Sequence, residues 1–148
     1  MIRALLNQIL RVVLPERKTD QHGSGHFGAP RGARRHTGVD YAAFPGTEIL
    51  SPLPGRVIRR GFCYSDGVGS ATDENPFRLV EIQHDNGQVG RYLYIEPLVG
   101  AGDRVARFEP IGRVQDLNRR LKNITPHVHV DVKINDKVVA PDQWFKES

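Results

Sequence analysis

Pro126-His127-Val128-His129-Val130-Asp131-Val132-Lys133-Ile134 is a run in which side-chain character alternates without a break. In an extended chain successive side chains point to opposite faces. The run therefore reads as a β-strand with Val128, Val130, Val132 and Ile134 on one side and His127, His129 and Asp131 on the other. The apolar side marks a core, so the His/His/Asp side must look into solvent or into a groove. Two imidazoles at i and i+2 on one strand face sit roughly 6–7 Å apart at the strand rise per residue. One can ligate a metal while the other hydrogen-bonds a water or a substrate oxygen. Two solvated surface histidines would give the same pattern, so the strand alone does not decide.

The same alternation continues upstream. Leu79-Val80-Glu81-Ile82-Gln83-His84, the turn Asp85-Asn86-Gly87, then Val89 to Ile95 has the form of a β-hairpin. Other short apolar runs are separated by Phe44-Pro45-Gly46, Pro52-Leu53-Pro54-Gly55 and Ala101-Gly102-Asp103. With 15 Gly and 10 Pro in 148 residues, strands and turns are favoured over a helical bundle. That length holds one ordinary domain. At 39% hydrophobic and 26% charged, the chain is too apolar for a disordered tail and too polar for a membrane protein. The formal charge of +4 is too small to carry a nucleic-acid role. No phosphate-binding glycine loop is present. Cys63 is the only cysteine, so no internal disulfide can staple the domain, and it reads as a small buried residue.

At the start of the chain, Ile2, Leu5, Leu6, Ile9, Leu10 and Val13 recur at helical spacing before Pro15. Residues 1–15 are therefore expected to form an amphipathic helix that packs on the domain or on a partner. The stretch is too short, and too interrupted by Arg3 and Arg11, to be a transmembrane segment. It also lacks the cleavage site of a signal peptide. Residues 16–35 carry little apolar periodicity and are rich in Gly, Arg and His, so they read as a long loop. Residues 65–76 are a polar excursion without a pattern. The expectation is one domain over 16–148, mainly β and antiparallel, behind a short N-terminal helix.

A second cluster is Arg35-His36-Thr37-Gly38-Val39-Asp40-Tyr41. Gly38 and Val39 disfavour a helix, so His36 and Asp40 are better placed on a loop entering a strand, both turned toward one point. His plus Asp plus a second His is a ligand set that catalytic zinc uses, with one position left open for water.

His36-x-x-x-Asp40, Ala43-Phe44-Pro45-Gly46-Thr47, Ser51-Pro52-Leu53-Pro54-Gly55-Arg56-Val57, Gly102-Asp103-Arg104-Val105, Ile111-Gly112 and Pro126-His127-Val128-His129 stand in an order that resembles the lysostaphin/LytM-type zinc metalloendopeptidases. The resemblance covers roughly residues 35–145. It implies an antiparallel β-sheet metallopeptidase (duplicated-hybrid-like) fold and a zinc enzyme acting on the peptide cross-links of peptidoglycan. It further implies His36, Asp40 and His129 as zinc ligands and His127 as the histidine beside the metal-bound water.

This sequence departs from that pattern at one place. The family carries a further histidine in a Tyr-x-His-Leu segment, where this chain has Tyr92-Leu93-Tyr94-Ile95. Tyr94 and the stretch Gly23-Ser24-Gly25-His26-Phe27-Gly28-Ala29-Pro30-Arg31 resemble the leukocyte-derived chemotaxin branch, a secreted signalling branch with the same fold and zinc site. The disulfides of that branch are absent, since Cys63 stands alone. A phenol O–H can donate to a developing oxyanion as an imidazolium can, although a neutral donor stabilises it less. His127 and Tyr94 are therefore the expected catalytic pair. A catalytically weak or inert zinc-stabilised signalling module is the alternative.

His22 and His26, in the glycine-rich loop, can approach an open zinc position as a cap, but solvated loop histidines are the simpler expectation. His84, beside a turn, is expected to be exposed. Arg31, Arg34 and Arg35 can steer an anionic wall polymer toward the groove. The absence of a leader suggests a bacterial or phage-type enzyme, made in the cytoplasm and delivered to the wall by a virion or a holin.

Overall fold

The computed structural model describes residues 17, 25, 28–31, 34–35, 37–63, 76–119 and 121–146. Along them run β1 (Pro30–Arg31), β2 (Arg34–Arg35), β3 (Val39–Ala42), β4 (Glu48–Leu50), β5 (Gly55–Phe62) and β6 (Arg78–His84). They are followed by β7 (Val89–Leu93), β8 (Ile95–Pro97), β9 (Arg104–Val105), β10 (Pro110–Val114), β11 (His127–Ile134) and β12 (Lys137–Val138). Short 3-10 helices cover Leu117–Arg119 and Pro141–Gln143. The expected helix over 1–15 lies outside the described residues.

In the larger sheet the alternating run forms β11, which pairs with β7 on one side and with β3 and β12 on the other. That sheet has the order β12-β11-β7-β6-β5-β9, with β3 also paired to β11, and every pairing is antiparallel. The expected mainly β, antiparallel architecture is what the chain adopts. Val128, Val130 and Val132 enter a core with Tyr92, Val80, Ile82 and Val57 from the neighbouring strands. A smaller sheet, β4-β10-β8, closes that core with Ile49, Ile111 and Ile95. Trp144 and Phe145 seal one end. The Trp144 indole N–H donates to the Val139 carbonyl (2.8 Å), and the Phe145 N–H donates to Gln88 Oε1 (2.6 Å). Among the described residues no helix is long and apolar enough to cross a membrane.

The β6–β7 hairpin turns at Asp85-Asn86-Gly87 as its sequence requires. Gly87 takes φ 88°, which a side chain disfavours, and the Gln88 N–H donates to Asn86 Oδ1 (3.0 Å). His84 corrects one expectation: it is buried, not exposed. Its Nδ1–H donates to the Leu53 carbonyl (3.0 Å) and its Nε2 accepts from the Tyr92 hydroxyl (2.9 Å). A residue next to a turn is still in the strand, and here the alternation carries it to the core face.

Burial pushes the His84 pKa down to about 4, against the carbonyl bonds and the nearby Asp85 charge, which favour the charged ring. The unfolded chain therefore binds one more proton than the folded one between pH 6.5 and about 4. Stability should fall as pH drops through that window, by up to about 3 kcal/mol from this residue. Comparing urea denaturation at pH 7 and pH 4.5 checks it. His84→Gln should lose the extra acid sensitivity, and equal slopes in both proteins would refute the assignment.

A satellite cluster of Phe77, Leu117 and Ile124, with Cys63, Tyr94 and Leu121 packed against it, lies beside the main core. The Cys63 thiol donates to the Arg78 carbonyl (3.2 Å), and burial pushes its pKa up to about 12. A thiol held protonated in this way is a poor nucleophile at neutral pH.

Candidate metal and catalytic site

Register brings the site together. In β11, His127 lies opposite Ala42 and His129 lies opposite Asp40 of β3, while on its other side His129 lies opposite Leu93 of β7. Opposed residues of an antiparallel pair point to the same face, so Asp40 joins His127, His129 and Asp131. This face is closed rather than open to solvent: His127, Asp131 and Asp40 are each 2% exposed. The alternative of two solvated histidines is removed by that burial.

Both oxygens of Asp40 are engaged. Oδ1 lies 2.9 Å from His129 Nδ1, and Oδ2 accepts from Arg17 Nη1 at 2.8 Å. His127 Nε2 lies 3.5 Å from the same Oδ2. The other nitrogen of His129, Nε2, lies 3.1 Å from Asp131 Oδ2. Burial opposes the charged form of His129, but the Asp131 and Asp40 carboxylates outweigh it and hold its pKa above the ordinary value. For His127 burial wins over the Asp40 charge, and its pKa falls below the ordinary value. His127 Nδ1 lies 2.7 Å from the Thr125 carbonyl, which can only accept, so Nδ1 carries the hydrogen and the basic lone pair belongs to Nε2.

An imidazole with a carboxylate on each nitrogen is suited to holding a positive charge between Nδ1 and Oδ1, whether a proton or a metal ion. Asp40 and His129 therefore fit two ligands of a zinc site. His36, the third predicted ligand, lies outside the described residues, as do His22 and His26. The described residues alone do not complete a group of three metal ligands.

Tyr94 stands where β7 gives way to β8 and takes φ 71°, an uncommon conformation for a non-glycine residue. Two backbone bonds hold this kink, from the Tyr94 N–H to the Arg78 carbonyl and from the Gln115 N–H to the Tyr94 carbonyl. The kink presents the phenol ring edge-to-face to His127, with centroids 5.3 Å apart. Four of the five predicted site residues, His127, His129, Asp40 and Tyr94, thus meet in one place.

The sequence reading missed three contributors. Arg17 and Gly25 form a backbone triangle with Asp40: Arg17 N–H to the Asp40 carbonyl (2.7 Å), Asp40 N–H to the Gly25 carbonyl (2.9 Å) and Gly25 N–H to the Arg17 carbonyl (3.1 Å). A charged run such as Glu16-Arg17-Lys18 carries no signal for that role. Gly38 has a signal in hindsight, because it sits inside the His36–Asp40 motif. A Cβ there would meet the Val130 carbonyl oxygen and come within 2.8 Å of the His129 ring, so the loop can pass over the imidazole only as glycine. Asp131 was placed on the correct face but given no task.

Residues 34–141 match Peptidase family M23, so the chain belongs to that family, whose members are zinc peptidases and typically peptidoglycan hydrolases. The resemblance seen in the motifs is borne out at the level of family and fold. The DD-carboxypeptidase/endopeptidase Mpg of Neisseria meningitidis serogroup B is 32% identical over 108 residues, which are 73% of this chain and 22% of Mpg. Leukocyte cell-derived chemotaxin-2 of Bos taurus is 24% identical over 115 residues, 78% of this chain and 71% of that one. The catalytic domain of lysostaphin from Staphylococcus simulans superposes with a TM-score of 0.62 at 21% identity, over 81% of this chain and 87% of that domain. That likeness shows a lysostaphin-like fold. The chain spans about a fifth of the length of the Neisseria relative, 22%.

Proposed function

We propose that the protein is a zinc-dependent endopeptidase that cuts the peptide cross-links of bacterial peptidoglycan. The observation that carries this reading is the convergence of Asp40, His129 and a neutral His127 on one buried face. Membership of a peptidase family and the name of the Neisseria relative support it. Asp40 and His129, with His36, would hold the ion. The chemistry supplied by a bound zinc ion is polarisation of the scissile carbonyl and acidification of the attacking water.

The chain's own groups do the rest. His127 accepts the water's proton at Nε2 as the oxygen bonds to the carbonyl carbon, and returns it to the amine nitrogen when the C–N bond breaks. The bond from its Nδ1 to Thr125 keeps that lone pair aimed and the ring upright. The Tyr94 hydroxyl donates to the oxyanion that develops on the carbonyl oxygen. Arg17 holds the Asp40 carboxylate in one orientation. Delivery to the wall with a virion or through a holin belongs to the same reading, as does a separate helix over residues 1–15.

One observation favours a second reading: Tyr94 in place of a histidine, together with the similarity to chemotaxin-2, fits a zinc-stabilised signalling module without turnover. The two readings separate in one assay. Purified protein of determined metal content is tested for release of new amino groups from peptidoglycan, beside Asp40→Ala, His127→Ala, Tyr94→Phe and Tyr94→His. The endopeptidase reading expects release that Asp40→Ala abolishes. Tyr94→Phe should lower turnover by about 10- to 100-fold, less than the loss of a charged oxyanion donor, and Tyr94→His should raise it. Bound zinc without cleavage of any wall type leaves the signalling module. A Tyr94→Phe variant as active as the parent removes Tyr94 from the chemistry.

A further inference from the structure

Behind His129 a row of alternating charge crosses the large sheet. Asp131 of β11 is the register partner of Arg91 of β7, Arg91 is the partner of Glu81 of β6, and Glu81 is the partner of Arg59 of β5. Contacts follow the register: Asp131 Oδ1 to Arg91 Nε is 3.5 Å, Arg91 Nε to Glu81 Oε1 is 3.7 Å, and Glu81 Oε1 to Arg59 Nη2 is 3.3 Å. Side-chain exposure is 2% at Asp131, 25% at Arg91, 17% at Glu81 and 52% at Arg59. The row thus starts in the buried site and ends in solvent.

The last member is in place only because the ladder is irregular. Val57 is opposite Ile82, so regular pairing would set Ile58 against Glu81. A bulge between Val57 and Arg59 inserts one residue and brings Arg59 opposite Glu81 in place of Ile58, which is 44% exposed.

We propose that Asp131 is the positioning residue of the metal ligand His129, and that Arg91 and its row hold Asp131 for that task. The inference rests on the reading of His129 as a ligand. With Asp131 Oδ2 accepting the hydrogen of His129 Nε2, Nδ1, on the side of Asp40 Oδ1, is the nitrogen that would give its lone pair to the ion. A carboxylate on the outer nitrogen of a ligating imidazole fixes its tautomer and ring orientation and makes it a better donor. Asp131 Oδ1 makes no hydrogen bond among the described residues, so the Arg91 guanidinium is the charge that compensates its burial. On another side the backbone at Gly38 passes so near that a Cβ there would come within 2.8 Å of the imidazole, which leaves the ring little room to turn.

Zinc affinity, measured by competition with a chromophoric chelator, tests the proposal without recourse to activity. Asp131→Asn keeps an acceptor and loses the charge, and should weaken zinc by about 10-fold; Asp131→Leu loses both, and should weaken it by about 100-fold. Arg91→Met should reproduce part of the loss, by a few-fold. Nitrogen-15 NMR of the cadmium form gives a signature that packing alone does not move. The parent should bond cadmium through His129 Nδ1, and Asp131→Leu should populate bonding through Nε2. If Asp131→Leu fails to fold, Asp131→Asn, which conserves shape, carries both readouts. Affinities within twofold of the parent, with Nδ1 still the bonding nitrogen, overturn the inference and leave the zinc site standing. A parent that takes up no zinc overturns both.

Discussion

Replacing His127 by alanine should lower peptide-bond cleavage by about two to four orders of magnitude and leave the metal content unchanged. Its Nε2 lies 3.5 Å from Asp40 Oδ2, its ring meets Tyr94 edge-to-face, and its Nδ1 is committed to Thr125. It is therefore placed to move a proton rather than to complete the set formed by Asp40 and His129. Burial lowers its pKa, so at neutral pH it enters the reaction as a base. Amino-group release and zinc stoichiometry on the same preparation check both halves of the expectation. A variant that keeps more than about a tenth of parent turnover would take His127 out of the proton transfer, since general-base catalysis contributes at least 100-fold.

The second large effect is on stability. Asp40→Ala should destabilise the metal-free protein by about 3–5 kcal/mol, the usual result of stranding one partner of a buried ion pair. Arg17 and Asp40 have side chains 3% exposed each and meet at 2.8 Å. Without the carboxylate, the buried guanidinium loses the ion pair it makes with Asp40. Arg17→Met in the Asp40→Ala background should recover much of the loss, because it removes the stranded charge and keeps apolar bulk. Denaturation of the two single variants and the double variant forms a cycle. Additive losses would show that the pair is not coupled and that Arg17 is merely packed beside Asp40.

The two expectations divide the pocket between chemistry and architecture. On these expectations the loss at His127 falls on turnover. Asp40 is expected to serve both, since one of its oxygens meets Arg17 and the other faces His129.

Much of this was legible along the chain because it is local. Alternation from His127 to Ile134 is a property of consecutive residues, and it correctly set two histidines and Asp131 on one face of β11. The Asp85-Asn86-Gly87 turn is likewise local, and it correctly marked the β6–β7 hairpin. The order of motifs placed the family and the fold, and Tyr94 was recognised as the departure from it. His84 was misjudged because proximity to a turn says little about which face of the strand a residue occupies.

What remained for the tertiary structure depends on pairings distant in sequence. Asp40 and His129 are 89 residues apart, and only the β3–β11 register sets their side chains 2.9 Å from one another. Arg17 reaches the same carboxylate from 23 residues upstream through backbone bonds that no motif encodes. The row from Asp131 to Arg59 needs four strands in register and a bulge in one of them. By itself the sequence determined the strands of the central hairpin and of β11, and the family, since periodicity and motif order are written along the chain. The tertiary structure alone decided which charges are buried together, because burial and the pairing that compensates it exist only once separate strands share a sheet.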